Sequence, residues 1–383
     1  MTSIVPTVLA LALGAAAGPL PDEVSVRILG RLHPASVELS RRGERHVAVA
    51  SGGRLWVDGE PVAGGRAFPR DTWRLRVGEG PAREYAGAPS VAASGEEVAV
   101  VVRMALEDYV AAVVAAETES GTPSEALRAL AVVVRSYAAS AGGRHAGADL
   151  CDLAHCQVMG TNAPPAHRAS ARAAARGTAG QVLRVEGGAV ATAAFHAACG
   201  GHTADPREAF GGKGTGAAAV ADPGCPPVPW QATLPESLLS RVAARELARG
   251  HGPPLPVPSD ALHFLRGQGG YVVQVTDGRS AVGGEAFARA LDRALGHGRV
   301  RNARFELHRS DGSVQLVGSG IGHGVGLCQA GSARRAADGQ GYARILRHYF
   351  PEARLDPAGF SLDPVSAGPP APRSAPLSRT SSR

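Results

Sequence analysis

Glu117 closes the run Leu106-Glu-Asp-Tyr-Val-Ala-Ala-Val-Val-Ala-Ala-Glu117, in which Leu106, Tyr109, Val110, Val113 and Val114 recur at helical spacing. Eleven residues on from Leu106, its carboxylate falls on the same apolar stripe, whereas Glu107 and Asp108 lie off it. Desolvation there raises a carboxyl pKa and keeps the proton near neutral pH, which is the state a general acid needs. The alternative is a helix that stops short of Glu117 and leaves the side chain in water. A second group of reactive side chains is His145, Cys151 and Cys156, spaced H-x5-C-x4-C in a Gly-rich loop, with His155 as a candidate fourth member. Three or four such ligands can surround tetrahedral zinc, and in an exported chain the two cysteines could equally form a disulfide.

Other residues carry weaker signals. Cys199 and Cys225 bracket a Gly-rich loop, and a disulfide between them would contribute about 3 kcal/mol on loop-entropy grounds; two separate thiols are the alternative. Cys328 is then left over as a small buried residue. Arg135 and Tyr137 flank an apolar stripe, where they could orient a sugar or carboxylate or simply pack. His196 ends an apolar alternation. His323 sits between glycines in Ile321-Gly-His-Gly-Val-Gly326, a setting that lets backbone approach a ligand closely or lets the ring cap a tight turn. No Lys-Ser/Thr pair follows, so a phosphate loop is a poor reading.

The elements that must position these groups follow from periodicity. Residues 24–102 alternate in short apolar runs such as Val24-Ser-Val-Arg-Ile-Leu and Trp73-Arg-Leu-Arg-Val, which predicts an N-terminal β-rich region of antiparallel strands. Helical periodicity takes over from 103 to 178, with Thr122-Pro-Ser-Glu125 as a predicted capping box before the stripe Leu127, Leu130, Ala131, Val134, Ala138. A hairpin around Gly187-Gly188 follows. The expected organisation is a core at 103–230 and a second α+β part at 231–355 completing a substrate cleft: an α+β fold mixing helices with antiparallel sheet. The Pro-, Ser-, Ala- and Arg-rich segment 363–383 is expected to be disordered.

Composition narrows the function. The chain has 383 residues, 44% hydrophobic and 19% charged, enough for about two domains. Its longest uncharged apolar run, Ile4 to Ala17, is shorter than the ~20 residues of a spanning helix, which excludes a multispan membrane protein. That run, ending in Ala15-Ala16-Ala17, predicts a secretory signal at 1–17 and hence an exported, envelope or extracellular protein, or an uncleaved N-terminal anchor. The net charge of +6 does not imply nucleic acid, because Lys213 is the sole lysine and the arginines are dispersed; a mildly basic surface also suits an anionic polymer such as peptidoglycan.

The helical run with Glu117, then Pro123, Glu125-Ala-Leu and Ala131-Val-Val-Val-Arg-Ser-Tyr-Ala138, resembles the signature of the stage II sporulation protein D family, also called SpoIID/LytB or amidase enhancer. The likeness continues through Cys151-Asp-Leu-Ala-His-Cys-Gln157, Ala194-Phe-His-Ala-Ala-Cys-Gly-Gly-His-Thr203 and Gly322-His-Gly-Val-Gly-Leu-Cys-Gln329. It implies that Glu117 is the catalytic acid of a lytic transglycosylase acting on peptidoglycan glycan strands. It further implies that His145, Cys151 and Cys156 hold zinc, and that His196, His323 and Gln329 line the groove for the sugar chain, with Arg135 and Tyr137 near it. The family's other name implies a different role, a non-catalytic binder that stimulates a cell-wall amidase. This chain departs from the pattern at Thr118-Glu119, where Met-Pro is usual, at Leu130 for Gln, and at Cys328 for Ser.

Overall fold

The computed structural model describes residues 20–145, 147–160, 163–212, 214–249 and 253–356. The expected signal at 1–17 and tail at 363–383 lie outside them, as does Lys213. The fold is α+β with a β-rich N-terminal part. Alternation places Val37, Leu39, Trp73, Leu75, Val100 and Val102 on the buried side of a ten-stranded sheet. Its strand order is Leu150–Cys151, Glu23–Ile28, Glu97–Ala105, Arg83–Ser94, Asp71–Arg76, Ser36–Arg41, Glu44–Ser51, Arg54–Val57 and Glu60–Val62, with Arg66–Ala67 paired to Arg83–Ser94. All pairings are antiparallel except the edge pair that sets Cys151 beside Arg27.

Helix α1 (Leu106–Glu117) follows the strand Glu97–Ala105 without a loop and buries Leu106, Tyr109, Val110, Val113 and Val114. Helix α2 (Ser124–Ser140) is central: of the thirteen positions from Ala126 to Ala138 all but Arg128 are buried, so it is enclosed on every side. Helix α3 (Pro165–Gly177) packs on both. The predicted capping box does not form. Pro123 is itself the N-cap, the Thr122 hydroxyl turns back to Glu119 O at 2.7 Å, and the Glu125 carboxylate serves Arg128 and the Tyr342 amide.

After α4 (Pro206–Phe210) and Cys225 the chain leaves this core. Residues 230–325 build another around Trp230, Leu239, Phe287, Leu291, Phe305 and Leu316. Helices α5 (Glu236–Leu247) and α6 (Gly284–Leu295) and two three-stranded antiparallel sheets supply it. The chain then returns. Leu327–Cys328 pairs in parallel with Phe195–His196, and α7 (Gln329–Ala337) and α8 (Tyr342–Tyr349) pack back on α2. The hairpin expected around Gly187-Gly188 forms as a short turn, with Arg184 bridged antiparallel to Val190 and Val185 N on Ala189 O at 3.0 Å, and Val182–Arg184 also pairs with Arg354–Asp356.

Candidate active site

Glu117 is the last residue of α1 and is half-buried. Its Oε1 accepts a hydrogen bond from the Val158 amide at 3.0 Å. Burial raises the carboxyl above the ordinary range, and the Val158 bond offsets part of that rise. The surrounding backbone is held from several sides. Gln329 Nε2 donates to Glu117 O at 2.8 Å, the Thr118 hydroxyl donates to Val114 O at 2.6 Å, and His167 Nε2 lies 2.9 Å from Thr118 O. A depression of about 400 Å³ opens here, walled by Thr118, Glu119, Val158 and His167. Glu117 does not itself line this space, but Thr118, the next residue, and Val158, whose amide bonds the carboxyl, both do.

The Val158 amide is delivered by the Cys/His loop. The Asp149 carboxylate ties that loop to the sheet edge, accepting from Ser25 N and Oγ at 2.9 and 2.6 Å, and Asp152 accepts from Leu29 N at 2.9 Å. His145 Nε2 lies 3.1 Å from Cys156 Sγ and His155 Nε2 3.2 Å from Cys151 Sγ, and ligand atoms of all four residues fall within 4.8 Å of one another. Burial pushes the Cys151 thiol up and the His145 imidazolium down, so both favour their neutral forms until a cation displaces the thiol proton. Two nitrogens and two sulfurs at this spacing could hold a metal ion. Gln157 joins the loop to α1, its Oε1 accepting from Tyr109 Oη at 3.0 Å.

Residues 94–184, which contain α1, α2, α3 and the Cys/His loop, match the sequence profile of the stage II sporulation protein family, SpoIID. Over this segment the chain is similar to the SpoIID family. It is 32% identical over 68 residues to the stage II sporulation protein D of Bacillus amyloliquefaciens, covering 18% of this chain and 20% of that protein. A longer match, 27% identical over 273 residues, links it to an uncharacterized protein of Brachyspira hyodysenteriae and covers 70% of this chain and 71% of the relative.

Within this fold the predicted site residues separate. Glu117, Gln329 and the Cys/His loop form one neighbourhood. Arg135 does not face a ligand. It is fully buried, paired with Glu107 at 2.6 Å and bonded to Ala175 O and Gln181 O, so it locks α1, α2 and the end of α3 together. Tyr137 belongs to the Cys/His loop, where its hydroxyl accepts from Arg144 at 2.8 Å and reaches His155 O at 3.4 Å. His196 is buried with Nδ1 on Val325 O at 3.1 Å, so it cannot line a groove. His323 accepts the Val325 amide at 3.0 Å, as a turn-capping ring does, and stacks edge-on against exposed Phe210. Burial holds His196 down to about 3 and His323 to about 4, so both rings stay neutral. Among the described residues no hydrogen bond or ring contact joins either to Glu117.

The expected Cys199–Cys225 disulfide is absent, for all five cysteines are free thiols. Cys328 lies against the pair, with its Sγ 3.6 Å from Cys225 Sγ, and buried Asp222 joins the group. Sequence reasoning also missed Val158, Gln157 and His167. A backbone amide carries no residue-type signal, but Gln157 stands in the motif already singled out, directly after Cys156.

Proposed function

We propose that this SpoIID protein is a peptidoglycan lytic transglycosylase of the bacterial cell envelope, acting in cell-wall remodelling or a sporulation-like process. The observation that carries the reading is the Glu117 carboxyl: half-buried, raised by burial and oriented by the amide of Val158, which together with Thr118 walls an open depression. In its neutral form Glu117 protonates the glycosidic oxygen between N-acetylmuramic acid and N-acetylglucosamine, and the N-acetylglucosamine 4-hydroxyl leaves. The resulting carboxylate then takes the proton of the muramyl 6-hydroxyl as that oxygen closes on the anomeric carbon. The product is a 1,6-anhydromuramyl end, and no water enters. Because the attacking hydroxyl belongs to the substrate, one carboxyl suffices, whereas hydrolysis of the usual kind needs two. Glu119, exposed and two residues on, is not placed to share the carboxyl's buried environment.

The His145, Cys151, His155 and Cys156 set suits zinc in its donor chemistry and spacing. When bound, zinc would neutralise the two thiolates and hold the loop closed. The chain's own part is then to keep Gln157 on Tyr109 and the Val158 amide on Glu117. Gln329 positions the acid through its carbonyl and does not reach the carboxyl.

The test is mass spectrometry of denuded glycan strands, and of peptide-bearing strands, after incubation with the wild type and with Glu117→Gln. Anhydromuramyl ends from the wild type alone are expected. Reducing ends would mean hydrolysis, and no product on either strand type would favour an amidase-stimulating binder.

A further inference from the structure

The group where the disulfide was expected is built as a metal site. Cys199, Asp222, Cys225 and Cys328 are all buried, and one ligand atom from each lies within 4.8 Å of the others. Three buried sulfurs and a fully buried carboxylate are not a hydrophobic contact. Nor does a disulfide account for them, since it would consume two thiols and leave the third against a buried carboxylate. The 3.6 Å between Cys225 Sγ and Cys328 Sγ is close to the ~3.8 Å edge of a tetrahedron with 2.3 Å zinc–sulfur bonds.

The local backbone supports the same reading. Asp222-Pro-Gly-Cys225 is a tight turn closed by Cys225 N to Asp222 O at 3.0 Å, and it has the spacing of a C-x-x-C knuckle with a carboxylate for the first thiol. Amides point at the sulfurs: Cys199 N and Gly331 N each lie 3.3 Å from Cys328 Sγ, and Gly201 N lies 3.4 Å from Cys199 Sγ. The Gly200-Gly201 pair that turns this amide inward has φ of 69° and 110°, which a side chain would resist. Outer partners are present too. Asp222 accepts from Tyr349 Oη at 2.7 Å and from Arg335 Nη2 at 3.1 Å, leaving lone pairs for a cation. A Cβ on Gly331 would collide with both Asp222 Oδ2 and the Tyr349 hydroxyl.

We propose that Cys199, Asp222, Cys225 and Cys328 form a second, structural zinc site of Cys3Asp type, separate from the His145/Cys151 loop. Binding forms three Zn–S bonds and one Zn–O bond, releases the three thiol protons and involves no redox change. Its place in the fold gives it a purpose. Cys225 is where the chain leaves the first core and Cys328 is where it returns, so the ion clamps the root of the 230–325 unit. Gln329, which holds the Glu117 carbonyl, is the next residue.

The test is zinc stoichiometry of the full chain purified under reducing conditions, for the wild type, Cys225→Ser/Cys328→Ser, and His145→Ala/Cys151→Ser. The Cys225/Cys328 variant should carry one zinc fewer than the wild type whether or not the loop binds its own, so a failure at the loop is distinguishable. Should that variant fail to fold, the wild type decides by itself. Peptide-mapped alkylation after chelation should expose Cys199, Cys225 and Cys328, and zinc should protect them again. Equal stoichiometry, alkylation of these three thiols that zinc does not alter, or isolation of the protein with two of them joined as a disulfide would each overturn the proposal.

Discussion

Two clusters of sulfur ligands differ in how they are assembled. His145, Cys151, His155 and Cys156 come from one loop at the sheet edge, and His155 is exposed. Cys199, Asp222, Cys225 and Cys328 come from three segments that meet only when the chain has left the first core and returned to it, and all four are buried. The local cluster supports an amide that bonds Glu117, so damage there should appear first as lost activity. The assembled cluster joins two cores, so damage there should appear first as lost stability.

That contrast can be broken. The largest effect on stability is expected for Asp222→Ala, which strands Arg335 and the Tyr349 hydroxyl in the interior and should cost about 3–5 kcal/mol in denaturant unfolding. Arg135→Ala should cost about 3 kcal/mol by the same measurement, reduced from the full buried-pair cost because Glu107 is partly exposed. If Cys151→Ser also cost several kcal/mol, the distinction between the clusters would fail. The account expects it to lower glycan cleavage about 10–100-fold, as lost supporting contacts do at metal sites, with little change in the unfolding midpoint. Gln329→Ala removes one hydrogen bond to the Glu117 carbonyl and should cost about 1 kcal/mol, read as a several-fold fall in turnover with the pH profile unmoved.

The smallest effect sharpens the assignment of Glu117. Burial raises its carboxyl pKa, so the folded chain keeps that proton to higher pH than the unfolded chain does. Stability from this group therefore falls as pH rises from the unfolded pKa through the folded one. Glu117→Gln, which never ionises, should melt above the wild type on the alkaline side of that window, and the gap should close on the acid side. A constant gap across pH would mean that Glu117 is not held in its neutral form.

What was legible in the sequence follows the same line between local and assembled. The stripe from Leu106 to Glu117 placed the acid on a real helix, because i, i+3, i+4 spacing is a property of one segment. The H-x5-C-x4-C spacing likewise marked a real cluster. The pairing of Arg135 with Glu107 has no local signal, because the two lie 28 positions apart on different helices and nothing in a linear pattern joins them. Cys199 and Cys225 suggest a disulfide because they bracket a loop, while Cys328 lies 103 residues beyond Cys225 and joins them only where the chain returns from the 230–325 unit. Asp222 has a local signal of its own in Asp222-Pro-Gly-Cys225, a carboxylate at knuckle spacing from a thiol.

The central claim is that one raised carboxyl does the chemistry without water. It is tested most directly by digesting denuded glycan strands in 18O-labelled water and reading the new ends by mass spectrometry. The wild type should give 1,6-anhydromuramyl ends without the label, and Glu117→Gln should lose about 100- to 10,000-fold in rate. Labelled reducing ends, or unchanged cleavage by Glu117→Gln, would contradict it.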